Sequence, residues 1–447
     1  LSDTGVNAET ETRGAPFGRF HVRLALILGA VLFVDGYDLF NAAYVAPYIR
    51  KEWGLSDPQI GVMLSLGIFG LAIGALLQAP IVNRFGLRKA TAAGVLVLGA
   101  ASFLLATTAH DFVTFCLFRV LLGISLGMLS PLAFVYVNQW APAQRANLFA
   151  TIAFTLPFSL GGIAAGLAGL AIAPQFGWRG LYMLAALLAL PIGLLCLFTL
   201  PESASRLIRL DRLDDLRRQL AALRPERSAI YAAATSFTES ADVATDRPRF
   251  GQLLRPPFRR RTIGIWTASA LSLLCLHGLS GWLPSILISQ GAAISSAFGY
   301  GVLLMSMQIV GGGAFGWASD IFGRPRVMAM GFIGGAAALL GLSQLVGTSF
   351  TFVAVAAAGF FIFGTQAVMN NFTAMSYPPS LRSTGTGAAV AFSRIGGVAG
   401  PLVIGWAQGA YGEIWFTLAI LAAAQIAASF IIAGFARARP VPQEQTA

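Results

Sequence analysis

Charge is what this chain has least of. Its 30 Lys and Arg and 19 Asp and Glu make up 11% of 447 residues, where a soluble globular protein carries about 25%. That excludes an ordinary soluble fold. Cysteine and histidine are also scarce, at three residues each. Cys116, Cys196 and Cys275 lie inside long apolar runs, are odd in number and lack metal-ligand spacing. They read as small buried hydrophobes, not as a disulfide framework or a metal site. No grouping of His, Cys and Glu has the spacing of a metal cluster or of a nucleophile with its base, so an enzyme is not expected. The phosphate-binding P-loop pattern is missing too, which removes ATP as the energy source. No cofactor is expected, and a proton gradient is the driving force left. Leu1 to Phe17 contains no apolar core and no cleavage site of a secretory signal, so it reads as a disordered cytoplasmic tail.

What is present is apolar: 56% of the residues are hydrophobic. Runs of about 20 such residues, each long enough to cross a bilayer at 1.5 Å per residue, recur along the chain. Twelve spans are expected, centred near Phe33, Phe69, Leu98, Leu122, Leu160, Leu188, Leu273, Gly312, Ala337, Phe361, Val398 and Ala424. The fold class is therefore an all-α membrane protein. Basic residues near span ends stay cytoplasmic. Alternate loops carry Arg84, Arg88 and Lys89, then Arg145, the Arg-rich segment 206–261, Arg324 with Arg326, and Arg382. In the other loops Arg50, Lys51 and Arg179 are exceptions. Both termini then face the cytoplasm. The net charge of +11 comes mainly from these loops, so topology accounts for it better than a nucleic-acid partner does.

Self-similarity recurs at an offset of 237 residues: Pro47 matches Pro284, Gly86 matches Gly323, Arg145 matches Arg382, and Trp178 matches Trp415. Six spans have been duplicated. The expected organisation is a cytoplasmic tail (1–22), a six-helix bundle (23–200), a cytoplasmic central loop (201–260), a second bundle (261–436) and a cytoplasmic tail (437–447). In the central loop Leu207, Leu210, Leu213, Leu216, Leu220 and Leu223 have helical spacing among Arg and Asp, as in an amphipathic helix on the bilayer surface. Parallel repeats of this kind place a substrate site near the midplane.

Ionisable residues inside the spans carry the functional signal, because a carboxylate at a helix centre costs about 3 kcal/mol on insertion scales. Asp35 and Asp38 interrupt the first span within one turn. With Asn41, Tyr37, Tyr44 and Tyr48 they give that helix a wet face. Counting from Arg23 puts Asp35 roughly 18 Å deep and Asp38 roughly 22 Å. Arg119 in the fourth span counts to the level of Asp35, which makes an Asp35–Arg119 ion pair the expected pairing. That pair either works in transport or simply locks two helices together. Asp38 is then left without a partner, and an unpaired buried carboxylate takes up a proton. Arg394 and His277 lie at similar depth, each as a substrate contact or as a packing residue. Arg119 and Arg394 can fork onto a carboxylate, and Tyr37, Tyr44, Trp282, Tyr300, Phe361 and Phe372 offer faces to a ring. Gln366, Asn370 and Asn371 add hydrogen-bonding capacity in the tenth span.

The run from Gly316 through Asp320 and Gly323 to Arg324 resembles the signature loop of the major facilitator superfamily, a cytoplasmic latch between the second and third spans of a half. The first-half copy keeps Arg84, Gly86 and Arg88 but has Asn83 in place of the acid. Asn83 can hydrogen-bond yet lacks the Coulomb term, so either a shifted inward/outward balance or a tolerated polar replacement is expected. The resemblance covers nearly the whole chain and implies twelve helices in two pseudo-symmetric bundles.

Asp35, Gly36, Tyr37 and Asp38, followed by Ala46 and Pro47, resemble the first-span signature of the aromatic acid:proton symporters in that superfamily. Arg119 with Gly123 and Gly127, Gly281 to Pro284, and Tyr377 and Pro378 through Arg382, Gly385 and Gly387 to Arg394 and Gly396 extend the likeness. Ala43 stands where the signature usually has Gly. Related organic-anion symporters share parts of the pattern, and Pro201, Glu202 and Ser203 resemble sugar porters. The resemblance implies that the paired acids couple protons and that Arg119 recognises a substrate carboxylate. The resulting expectation is a monomer in the bacterial inner membrane that imports a small organic anion, an aromatic carboxylate such as a benzoate or hydroxybenzoate, with protons. The alternatives are symport of another metabolite, a sugar or an aliphatic acid, and proton-coupled efflux by an antiporter.

Overall fold

The computed structural model describes residues 5–238 and 250–437. A short strand, β1 (Gly5–Asn7), and helix α1 (Ala8–Arg13) precede α2 (Arg19–Trp53), α3 (Asp57–Phe85), α4 (Leu87–Thr108) and α5 (Phe112–Trp140). Next come α6 (Ala146–Ala150), a π-helical turn at Thr151–Thr155, α7 (Leu156–Ala171) and α8 (Ala173–Thr199). The connecting segment folds as α9 (Ala204–Arg209), α10 (Leu213–Leu223), α11 (Ser228–Ala233) and β2 (Ser236–Thr238). The second repeat supplies α12 (Arg259–Ser289), α13 (Ile294–Phe322), α14 (Arg324–Leu345), α15 (Thr351–Met375), α16 (Pro379–Tyr411) and α17 (Ile414–Arg437).

Among the described residues, eleven helical segments are long and apolar enough to cross a membrane, one of them, Leu148–Ala171, running from α6 through the π-helical turn into α7. The twelfth long helix is α2, which carries Asp35 and Asp38. Helices are the economical solution because each satisfies its own backbone in a solvent without hydrogen bonds. The duplication is visible in the turns. Gly86 and Gly323 end matching helices with φ of 92° and 85°, a region that residues with a Cβ avoid.

The chain packs as two compact units. They do not follow the repeats: residues 1–39, 70–162 and 179–244 form one, and residues 40–69, 163–178 and 245–447 the other. In the first unit, α2 crosses α7 with backbones in contact, because a Cβ on Gly36 would strike the Phe158 carbonyl and one on Gly161 the Phe33 carbonyl. α3 meets α5 in the same way through Gly74 and Gly127.

The expectation of a disordered N-terminal tail does not hold for residues 5–13. β1 pairs in parallel with β2, and Asn7 Oδ1 accepts from Thr10 N at 3.0 Å to cap α1. Glu11 is buried and accepts from Tyr231 Oη (2.6 Å) and Arg224 Nη1 (3.1 Å), with Arg227 Nη1 at 2.8 Å. Burial, followed by the hydrogen bond and charge of Glu11, raises the Tyr231 phenol above its ordinary value. The amphipathic helix is present as α10, but its Leu216, Leu220 and Leu223 are buried against protein and not laid on a bilayer. α1 and α11 pack on α10 and cover that face. The C-terminal tail lies outside the described residues, apart from Arg437.

In the second unit, the 40–69 segment packs on α12, α13 and α16. Tyr44 fills a slot left by glycines: a Cβ on Gly301 would lie 2.6 Å, and one on Gly166 2.8 Å, from its hydroxyl. Its ring sits edge-on to Phe298 at 5.1 Å. Gly61 meets the Pro401 carbonyl and Gly405 backbone to backbone, and Ser65 Oγ donates to Val398 O at 2.8 Å.

Candidate functional site

Two helices of the first unit, α2 and α5, bring the ionisable residues together. Asp35, Asp38 and Arg119 are all buried, none more than 2% exposed. Arg119 Nη1 lies 3.8 Å from Asp38 Oδ2. This is the reverse of the expected pairing. Depth counts depend on where each span is taken to begin, and α5 runs opposite to α2. Ser130, which meets Asp35, lies about 16 Å beyond Arg119 along α5, so Arg119 stands on the outer side of both acids and reaches the outer one, Asp38. Asp35 instead accepts from Ser130 Oγ at 2.5 Å. Neither Asp38 oxygen receives a hydrogen bond, so the pair is held by charge alone.

α8 completes this cluster. Tyr182 Oη lies 3.5 Å from Arg119 Nη1, and Tyr182 packs edge-on to Phe115 at 5.8 Å. Tyr37 Oη donates to Leu181 O at 3.0 Å, so its hydroxyl is spent on the backbone of α8. Sequence reasoning missed Ser130 and Tyr182. The signal for Ser130 was available, since it lies three turns after Arg119 on the same helical face; an intrahelical serine usually bonds its own backbone instead.

The remaining candidates lie in the second unit. Asn41 is fully buried, and both atoms of its amide lack a hydrogen-bond partner. Tyr44 occupies the glycine slot described above. Ser272 Oγ donates to Gln366 Oε1 at 2.6 Å and Gln366 Nε2 to Asn370 Oδ1 at 3.0 Å, which forms a polar chain from α12 along α15. His277 is buried beside Gly397, whose added Cβ would lie 3.0 Å from the imidazole Cδ2. Arg394 is half-buried. Trp282 is buried and donates through Nε1 to Pro401 O at 3.1 Å, which makes it part of the α12–α16 packing.

The two signature loops differ. At the first, Glu202 Oε1 accepts from Leu87 N at 2.8 Å and caps α4. Arg206 donates to the carbonyls of Val82, Asn83 and Arg84, at 3.4, 3.0 and 3.0 Å, and caps α3. Gly86 is required there for space as well as for φ, since its Cβ would lie 2.8 Å from Arg206 Nε. The Asn83 side chain itself is exposed, as is Arg84, while Arg88 is half-buried. At the second loop, Asp320 and Gly323 are exposed, nothing lies within 4 Å of a Cβ on Gly323, and Arg324 is half-buried. Among the described residues no group of three or more His, Cys, Asp or Glu is placed to hold a metal ion.

The family model of the Major Facilitator Superfamily matches residues 26–315 and 303–447. The chain belongs to this superfamily. The gallate transporter of Pseudomonas putida is 29% identical over 98% of this chain and 98% of that protein. The 4-hydroxybenzoate transporter PcaK of Acinetobacter baylyi is 28% identical over 89% of this chain and 87% of that one. The partially occluded, inward-open structure of the xylose transporter XylE from E. coli superposes with a TM-score of 0.74 at 15% identity, covering 96% of this chain and 100% of that one. At that identity the likeness shows the superfamily fold alone. With twelve helices in two pseudo-symmetric bundles, the chain is a multi-pass membrane protein of a transporter superfamily and not an enzyme.

Proposed function

We propose that this protein imports a small aromatic carboxylate together with protons across the bacterial inner membrane. The reading is carried by one observation, the buried Asp38–Arg119 pair with no hydrogen bond to either carboxylate oxygen. The gallate and 4-hydroxybenzoate transporters among its relatives support the substrate class. Arg119 is shared: a substrate carboxylate that forks onto its guanidinium weakens its hold on Asp38, and Asp38, buried without another donor, then takes a proton. Substrate and proton bind together because each removes a charge the other cannot tolerate alone. The loaded, neutralised site turns across the membrane at lower electrostatic cost. Asp35, bonded to Ser130, assists as the second acid of the pair.

Tyr37, Asn41, Tyr44, Trp282, His277, Gln366, Asn370 and Arg394 form the rest of the proposed binding and gating set. The repeats at 23–200 and 261–436 act as the moving halves, with Asn83, Arg84, Gly86, Arg88, Asp320, Gly323 and Arg324 as cytoplasmic latches. Both termini are cytoplasmic, and the working unit is a monomer. The test is uptake by proteoliposomes of benzoates, hydroxybenzoates, aliphatic acids and sugars, with and without a pH gradient. Gradient-driven accumulation of the aromatic acids is expected, and its loss in Asp38→Asn. Gradient-independent uptake removes the symport, sugar preference removes the substrate class, and substrate leaving against an inward proton gradient turns the reading into efflux.

A further inference from the structure

A groove of about 470 Å³ lies between the start of α2 and the end of α8, lined by Arg19, Val22, Arg23, Leu26, Leu195 and Thr199 among others. Its walls are apolar and open to the outside: Leu26 is 69% exposed, and Val22 and Leu195 are each 46% exposed. At one end stand two guanidiniums. Arg19 and Arg23 are exposed, and neither has a hydrogen bond or ion pair among the described residues. Some other arginines of the same unit are engaged, Arg206 on three carbonyls and Arg224 and Arg227 on Glu11. The Thr199 hydroxyl is bonded to Leu195 O, and no carboxylate lines the groove.

The local electrostatics are unfavourable without an anion. Residues four apart on a helix are neighbours, so Arg19 and Arg23 repel each other. Both sit at the N-terminal end of α2, where the helix dipole is positive, and the first turn of α2 contains no acid. An anion placed between the two guanidiniums relieves the repulsion, complements the helix end and accepts charge-assisted hydrogen bonds. Beyond it, the adjoining surface is hydrocarbon. A ligand that carries a phosphate on an acyl chain satisfies both ends of the groove, and a free phosphate satisfies only one.

We propose that this groove is a binding site for an anionic phospholipid of the cytoplasmic leaflet, its phosphate held by Arg19 and Arg23 and an acyl chain laid along Val22, Leu26 and Leu195. The side of the membrane rests on the orientation proposed above; the site itself does not depend on which substrate is carried. The two arginines together are worth about 30-fold in affinity for an anionic lipid.

The test is native mass spectrometry of the full purified chain in detergent, titrated with phosphatidylglycerol, phosphatidylcholine, diacylglycerol and glycerol phosphate. The expected result is selective retention of phosphatidylglycerol, weakened about 30-fold in Arg19→Gln/Arg23→Gln and kept in the double Lys variant. Because removing basic residues can disturb insertion, Leu195→Trp provides a second variant. It fills the groove, leaves both arginines in place and lowers phosphatidylglycerol retention. Equal retention of phosphatidylcholine or diacylglycerol, unchanged binding in both variants, or equally tight binding of glycerol phosphate overturns the proposal. Lipid retention is read without transport, so a failure here is separate from a failure of the symport reading.

Discussion

Replacing Arg119 by Gln removes the ion-pair partner of Asp38 while keeping a polar side chain of similar reach. At 3.8 Å and an effective dielectric constant of about 20, two unit charges attract by about 4 kcal/mol. Breaking a buried pair from one side costs about 3–5 kcal/mol, because the charge left behind has no compensation. Asp38→Asn leaves Arg119 with Tyr182 as its nearest polar neighbour in the site at 3.5 Å and belongs in that range. Arg119→Gln costs less, since Asp38 can neutralise itself by binding a proton. The double variant carries no charge at either position, so its destabilisation falls short of the sum of the single effects by about 4 kcal/mol. The measurement is a double-mutant cycle on the unfolding of purified protein at neutral pH, with proteoliposome uptake recorded in parallel. A coupling energy below about 0.5 kcal/mol, the additivity expected of independent sites, refutes the pairing and with it the shared-arginine mechanism.

Ser130→Ala removes the hydroxyl donor to Asp35 Oδ2; a loss of about 1–3 kcal/mol in unfolding free energy is expected, the penalty of an under-bonded buried acceptor, and no loss argues that the hydroxyl points elsewhere. Gly161→Ala drives a methyl into the Phe33 carbonyl and lowers unfolding free energy by about 1–3 kcal/mol by overpacking; a neutral result means that α2 and α7 separate freely. Asp111 caps α5, and its hydrogen bonds from the Thr114 backbone and hydroxyl hold its carboxyl below the ordinary value of 3.8. A depressed value means that its contribution is complete above about pH 4 and fades as acid protonates it, so the stability difference between the wild type and Asp111→Ala shrinks on acidification in a pH series of thermal unfolding. A constant difference contradicts the cap.

Much of the architecture was legible because the bilayer imposes it. Apolar runs set the helices, and the offset shared by Gly86 and Gly323 anticipated two turns of matching geometry. Asp38 and Arg119 stood out because charge inside a span has few reasons to exist. Which acid met the arginine was not legible, since a depth count is only as good as the span ends it starts from, and Ser130, not Arg119, proves to be level with Asp35. Tyr182 gave no signal: a tyrosine in an apolar helix looks like packing until its hydroxyl is seen 3.5 Å from Arg119. The burial of α10 was hidden for a related reason. An apolar stripe reports that a helix needs a cover, and only the fold shows that α1 and α11 pack against it.

The contacts of Glu11 also set an order in time. Arg224 lies 213 residues downstream of it, and β2, the partner of β1, ends later still at Thr238. At about 5–20 residues per second, the N-terminal segment waits roughly 10 to 40 s after its own synthesis for these partners. By then all six helices of the first repeat have been made. Closure of this clasp therefore requires that the first half be complete.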